Sequence, residues 1–236
     1  MRTVFISGID TDIGKTIATG LIAGFLVKRG ENVITQKIVQ TGCMEESDDI
    51  LVHRKMMGYN LLDVDRAKFT CPYLFKHPCS PHLSAHLEGK TIDTDRIFLA
   101  AAELEKKFSR VLVEGAGGLM VPLNSSMTVL DYIRINNYPV ILVSSSRLGS
   151  INHTFLSIDA LKSNGISLLG IVYNKFPEAD PFIVEDSMHQ IKKFMIKKGY
   201  QGVIIEMDKI NLLKPVEIDF SPLFSWKFPK NVKPIR

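Results

Sequence analysis

Short β-branched apolar runs alternate with segments of helical periodicity along all 236 residues. That alternation predicts an α/β fold: a mostly parallel central sheet with helices on both faces. Val4-Phe5-Ile6 and Val140-Ile141-Leu142-Val143 are apolar at successive positions, as strands buried on both faces of a parallel sheet require. No repeat, low-complexity tract or Gly/Ser linker divides the pattern, so residues 1–236 read as a single domain.

Residues 3–7 form the first expected strand, stopped by Gly8. Over residues 14–29, Ile17, Leu21, Ile22, Phe25 and Leu26 recur at helical spacing, and Gly30 follows as a C-cap. Residues 32–37 read as a second strand. An acidic loop, 45–49, leads into a helix that runs to Met57. Residues 60–89, with Pro72, Pro78 and Pro81, are irregular in pattern and predict a surface wrap or short helices. Residues 94–108 then fit a helix, 110–113 a buried strand, 126–136 a helix and 140–143 a strand. A helix over 151–163, a strand over 167–173, a helix over 181–198 and a last strand over 202–205 complete the series. Residues 220–236 form a basic aromatic tail, whose aromatics are expected to dock on the domain.

Apolar residues at 45% and charged residues at 23% exclude a disordered, collagen-like or coiled-coil chain. No run approaches the ~18 apolar residues of a membrane span, and the opening residues turn polar too soon for a secretion signal. Cys43, Cys71 and Cys79 lie far apart and suit free thiols in a reducing, cytoplasmic setting. The net charge of +4 is supplied by Lys227, Lys230, Lys233 and Arg236 in the tail. A charge-balanced body argues against nucleic acid as a partner.

The strongest chemical signal is Gly8-Ile9-Asp10-Thr11-Asp12-Ile13-Gly14-Lys15-Thr16, between the first strand and the first helix. In that place it reads as a phosphate-binding loop, with five residues between its glycines rather than the usual four. Backbone N–H groups and a helix N-terminus suit an anion. Lys15 then reaches the terminal phosphates, and Thr16 ligates magnesium. The expected architecture is therefore a single-domain P-loop fold. A second signal is Val111-Leu112-Val113-Glu114-Gly115-Ala116-Gly117-Gly118. A buried strand ending in Glu114 places a further metal ligand, and the glycines let backbone approach a ligand closely. The carboxylates of 45–49 suit a solvated helix start; the phosphate loop raises them to ligand candidates. Lys37 ends the second strand at the sheet edge that faces the ligand crevice. From spacing alone, an exposed strand-end lysine accounts for it equally. His82 and His86 lack the glutamate of a zinc-protease helix, and Ser144-Ser145-Ser146 lacks the glycines of a hydrolase elbow.

Taken in order, these segments resemble the dethiobiotin synthetase family. They are the G-x-D-T-D-x-G-K-T loop, Lys37 with Thr41-Gly42, Ser47-Asp48, Ser80-Pro81-His82, Val113-Glu114-Gly115-Ala116-Gly117-Gly118, Leu148-Gly149-Ser150-Ile151-Asn152-His153 and Asn174. The E-G-A-G-G and L-G-x-I-N-H segments are far more specific than the loop, and the likeness fades beyond Lys175. The resemblance implies an ATP- and magnesium-dependent ligase of biotin biosynthesis. It would close the ureido ring of dethiobiotin from 7,8-diaminopelargonic acid and CO2, releasing ADP and phosphate by way of a carbamate and a carbamic–phosphoric anhydride.

The resemblance also implies roles for single residues. Asp12, Ile13, Gly14, Lys15, Thr16 and Ile17 would hold the triphosphate, with Gly115, Ala116 and Gly117 beside the nucleotide and Asn174 on the adenine. Thr16, Asp48 and Glu114 would be magnesium ligands. Lys37 and Lys15 would be catalytic, and Thr11 and Thr41 would contact the diamine. Ser150, Ile151 and Asn152 would hold the substrate carboxylate from a partner subunit, which implies a homodimer. Two departures stand out: many relatives have Lys-Pro where this chain has Lys37-Ile38, and Ile205-Glu206-Met207-Asp208 lacks their Gly-x-Ile-Pro segment. A partition or division-site ATPase is the competing class, but it would carry lysine at the position of Asp10. A cobyrinic-acid amidating enzyme would need a glutamine-hydrolysing domain for which the chain has no room.

Overall fold

The computed structural model describes residues 2–210 and 217–225. In chain order the elements are β1 (Thr3–Gly8), α1 (Lys15–Lys28), β2 (Val33–Lys37), β3 (Gln40–Thr41), α2 (Asp48–Met57), α3 (Asp63–Arg66), β4 (Leu74–Phe75) and α4 (Pro81–Leu87). They continue with α5 (Thr94–Lys107), β5 (Arg110–Gly118), α6 (Val129–Ile135), β6 (Val140–Ser145), α7 (Ser150–Ser163), β7 (Leu168–Asn174), α8 (Pro181–Lys197) and β8 (Ile204–Met207). A short 3-10 turn, Ser221–Leu223, follows.

Six strands lie in the order β2-β5-β1-β6-β7-β8, with every neighbouring pair parallel. Side chains alternate along each strand and feed two separate cores. Phe5, Val111, Val113, Val140 and Leu142 meet α5, α6, α7 and α8 through Leu104, Ile133, Ile158 and Ile191. Val4, Ile6, Leu112, Ile141 and Val143 meet α1 through Ile22 and Leu26. Helices therefore cover both faces, as the apolar runs require. On the second face α2 lies tightly against α1. A Cβ added at Gly24 would fall 2.5 Å from the Met56 carbonyl oxygen, so only glycine permits that approach.

Several boundaries differ from the sequence reading. β5 runs on to Gly118 instead of stopping at Val113, because the glycine segment continues beside β1, Gly118 pairing with Gly8. α6 starts at Val129, since Thr128 and Asp131 form its capping box. β8 starts two residues late, at Ile204, after Gly202 turns the chain at φ 72. Residues 60–89 resolve into α3, β4 and α4, and part of this stretch covers the exposed edge of β2. There the Lys37 N–H donates to the Thr70 carbonyl at 2.7 Å, and Gln36 Nε2 donates to Phe69 O at 3.0 Å.

Within the expected tail, Phe220 and Leu223 are buried in the α1-side core. Phe220 lies edge-on to Phe25, and Phe224 lies beneath the Arg110 guanidinium. Trp226, Phe228 and the four basic residues lie outside the described residues. Among the described residues no helix is long and apolar enough to cross a membrane.

Candidate active site

The carboxyl ends of β1, β2 and β5 open into one cleft of about 440 Å³, where an open α/β sheet places its ligand. The loop from β1 to α1 forms one wall. Gly14 caps α1 in the left-handed region at φ 92, and a Cβ there would fall 2.7 Å from Asn174 Nδ2. Three loop carbonyls are already engaged by side chains. Asp10 O accepts from Lys15 Nζ at 2.5 Å, Asp12 O from Arg147 Nη2 at 2.9 Å, and Ile13 O from Asn174 Nδ2 at 2.9 Å. Side chains from the ends of β6 and β7 thus hold the loop by its acceptors, which suits a loop whose donors serve an anion. Lys15 is buried, and burial together with the Lys37 charge lowers its pKa to about 8.

Strand periodicity builds the second wall. Val33, Thr35 and Lys37 share one face of β2 and Leu112 and Glu114 the same face of β5, the side packed by α1 and α2. The parallel register pairs Lys37 with Glu114. Lys37 Nζ donates to Glu114 Oε1 at 2.8 Å, lies 2.6 Å from Asp49 Oδ2, and donates to Gly115 O at 3.1 Å. Lys37 is therefore buried, not exposed as a strand-end lysine would be. Burial opposes its charge, but Glu114 and Asp49 outweigh that and raise its pKa. Glu114 is wholly buried; burial opposes its charge too, and Lys37 and His53 overcome it and hold its pKa well below the usual carboxylate range. The Thr16 hydroxyl lies 2.9 Å from Asp49 Oδ1 and 3.2 Å from Glu114 Oε1. One hydroxyl and two carboxylates thus converge beside two lysines.

Asp49, and not Asp48, is the carboxylate of the acidic loop that enters this cluster. Ser47 is the N-cap of α2 and accepts from Ile50 N at 3.3 Å. The buried side of α2 carries Ile50, His53, Arg54 and Met57, and one helical turn back from His53 lies Asp49. Asp48 instead accepts from the Cys43 thiol at 3.1 Å. The signal that picks Asp49 was present in the sequence as its i,i+4 spacing to His53.

Behind the cluster lies a buried polar layer that no motif announced. His53 Nε2 lies 2.9 Å from Glu114 Oε2, and His53 Nδ1 lies 3.1 Å from Thr35 Oγ1. Arg54 grips Asp65 with two nitrogens at 2.9 and 2.8 Å and donates to Thr35 Oγ1 at 2.9 Å. Burial works against the Asp65 charge, yet Arg54 and Thr70 keep its pKa low.

The family model described as AAA domain matches residues 2–213. Over 184 residues the chain is 54% identical to the ATP-dependent dethiobiotin synthetase BioD 2 of Haemophilus influenzae, covering 78% of this chain and 96% of that one. This chain belongs to the dethiobiotin synthetase family. It is also 47% identical over 211 residues to the BioD 2 of Pasteurella multocida, covering 89% of this chain and 99% of that one. With the BioD of Chlorobaculum tepidum it shares 46% identity over 212 residues, 89% of each chain. A ParA family ATPase from Chlorobium tepidum TLS superposes with a TM-score of 0.53 at 12% identity, over 95% of this chain and 89% of that one. That likeness is one of fold.

Of the residues that the dethiobiotin synthetase resemblance singled out, Thr11, Asp12, Gly14, Lys15, Thr16, Ile17, Lys37, Thr41, Glu114, Ala116 and Gly117 line the cleft. Ile13 does not: its side chain is buried in the α1-side core. Gly115 offers its carbonyl to Lys37. Asn174 is buried, and its amide is engaged by Ile13 O and by the Phe176 N–H. Ser150, Ile151 and Asn152 start α7 and do not line this cleft. Ser150 is buried against Ser145, while Asn152 is exposed. Asp49, Val39 and Gln40 complete the lining without having been anticipated.

Proposed function

We propose that this protein is an ATP-dependent dethiobiotin synthetase of the cytoplasm, closing the ureido ring on 7,8-diaminopelargonic acid with CO2. The observation that carries the reading is the Lys37 ammonium, held between Glu114 and Asp49 at the mouth of the phosphate loop. A transferring phosphoryl group needs aimed positive charge more than a covalent nucleophile. Identities of 46–54% to synthetases that bear this name support the same conclusion.

The donor set fits magnesium. Thr16, Asp49 and Glu114 offer hard oxygen ligands, and among the described residues no cluster of three His, Cys, Asp or Glu side chains forms a closed cage. A site of few protein oxygens completed by substrate phosphates is the usual magnesium arrangement. Bound there, the ion would neutralise charge on the triphosphate. Lys15 would grip the phosphates already in the ground state. Lys37 would move from its carboxylates toward the carbamate and the γ-phosphoryl oxygens as negative charge builds on them. Thr11 and Thr41, which line the cleft, would orient the diamine so that its second amine attacks the mixed anhydride and phosphate leaves. The substrate carboxylate would be met by the α7 N-terminus of a partner subunit, with Ser150, Ile151 and Asn152, in a homodimer.

The test is a turnover assay with labelled bicarbonate, the diamine and ATP. ADP release should depend on the diamine, and the label should appear in the ring. Hydrolysis that ignores the diamine but responds to DNA or lipid would overturn the reading and favour a switch ATPase.

A further inference from the structure

We infer that His53 is a positioning residue for this site: its Nε2–H holds one oxygen of Glu114 so that the other stays aimed at Lys37 and Thr16. The inference rests on reading the cleft as a magnesium–nucleotide site.

The two oxygens of Glu114 have different partners. Oε1 meets Lys37 Nζ at 2.8 Å and Thr16 Oγ1 at 3.2 Å, while Oε2 meets His53 Nε2 at 2.9 Å. An ionised carboxylate only accepts, so the proton between His53 and Glu114 belongs to Nε2. The far side of the ring agrees. Arg54 Nη1 donates to Thr35 Oγ1 at 2.9 Å, and the same hydroxyl lies 3.1 Å from His53 Nδ1, an arrangement that a Thr35 hydroxyl donating to Nδ1 satisfies. Hydrogen bonding on both sides fixes the ring plane.

The bonds close into a loop on Lys37. Its backbone N–H donates to Thr70 O, the Thr70 hydroxyl donates to Asp65 at 2.6 Å, and Asp65 holds Arg54. Arg54 holds Thr35, Thr35 holds His53, and His53 holds Glu114, which accepts from the Lys37 ammonium. Every member is buried. Such a loop ties the placement of the Lys37 head group to its own strand through six other side chains. Remove the His53 donor, and the Glu114 carboxylate is free to turn about its terminal bond. Lys37 and Thr16 then lose a fixed acceptor. Partners that orient a ligating side chain in this way matter by about 10- to 100-fold in metal affinity or activity.

Two measurements test this. In the wild-type protein labelled with 15N-histidine, the His53 spectrum should show a proton on Nε2; a bare Nε2 overturns the inference. This needs no variant to fold. The second compares His53→Gln, whose amide nitrogen reaches the Nε2 position, with His53→Asn, which reaches only the Nδ1 position. ADP binding is titrated by calorimetry at several magnesium concentrations. His53→Asn should weaken the magnesium-dependent part of the affinity by about 10-fold or more, and His53→Gln by less than about threefold. Equal losses in both variants, tracking their melting temperatures, would leave His53 a packing residue and overturn the inference. So would wild-type binding in His53→Asn. ADP binding does not involve the diamine, so a wild-type protein that binds ADP with magnesium yet fails to turn over the diamine would count against the proposed function alone.

Discussion

Asn174 Nδ2 donates to the carbonyl oxygen of Ile13 at 2.9 Å, joining the end of β7 to the phosphate loop across 161 residues of sequence. The family resemblance gives Asn174 to the adenine, whereas this bond makes it a support of the loop. Asn174→Ala should therefore weaken inorganic tripolyphosphate as well as ATP. One lost hydrogen bond corresponds to about 2- to 10-fold in each affinity. Calorimetry with both ligands checks this, and a loss confined to ATP would return Asn174 to a base-reading role.

Lys37→Gln should lower turnover by about 100- to 1,000-fold, the usual effect of losing one aimed charge in a transition state. ATP binding should suffer less than in Lys15→Gln. The same variant should also unfold more easily. Lys37 is buried between two carboxylates, and breaking a buried pair from one side costs roughly 3–5 kcal/mol. Turnover, ATP titration and thermal unfolding on one preparation separate these effects.

The two neighbouring aspartates should behave differently. Asp49→Asn removes a carboxylate that meets both Thr16 and Lys37, so the magnesium concentration for half-maximal turnover should rise. Asp48→Asn changes a group bonded to the Cys43 thiol, and its magnesium requirement should match wild type. A magnesium titration of the two variants decides the register, and the reverse outcome would restore Asp48.

Nucleotide binding should take up a proton in mildly alkaline solution. Burial and the Lys37 charge lower the Lys15 pKa to about 8 in the free protein, and a bound phosphate favours the ammonium and raises it. Between the two values the complex holds more protons than the free protein. ADP binding followed by calorimetry at about pH 8.5, in buffers of different ionisation enthalpy, should show net uptake. At about pH 6.5, below both values, the Lys15 contribution should vanish.

The sequence alone determined the six strands of the main sheet and the long helices between them, both ends of α1, and the glycine loop that carries Lys15 and Thr16. Those features are local. An apolar run long enough to be buried, a helical spacing or a glycine between strand and helix declares itself within about 15 residues. The E-G-A-G-G segment likewise marked Glu114. The exposed-lysine alternative for Lys37 and the choice of Asp48 were local too; Lys37 is in fact buried, and it is Asp49 that faces Thr16 while Asp48 meets the Cys43 thiol. Alternation tells which face of a strand a side chain takes, but not which strand lies next to it.

Only the tertiary structure decided that β2 lies beside β5 in the register that sets Lys37 against Glu114, 77 residues away. The packing of α2 on α1 chose Asp49 and brought His53 to the second oxygen of Glu114. Arg54 and Asp65 look in sequence like ordinary surface charges. They are buried because each satisfies the other and the residues around Thr35 and Thr70. A buried charge needs a partner at hydrogen-bond distance, and which partner it finds depends on chain segments brought together only when the sheet and its helices assemble.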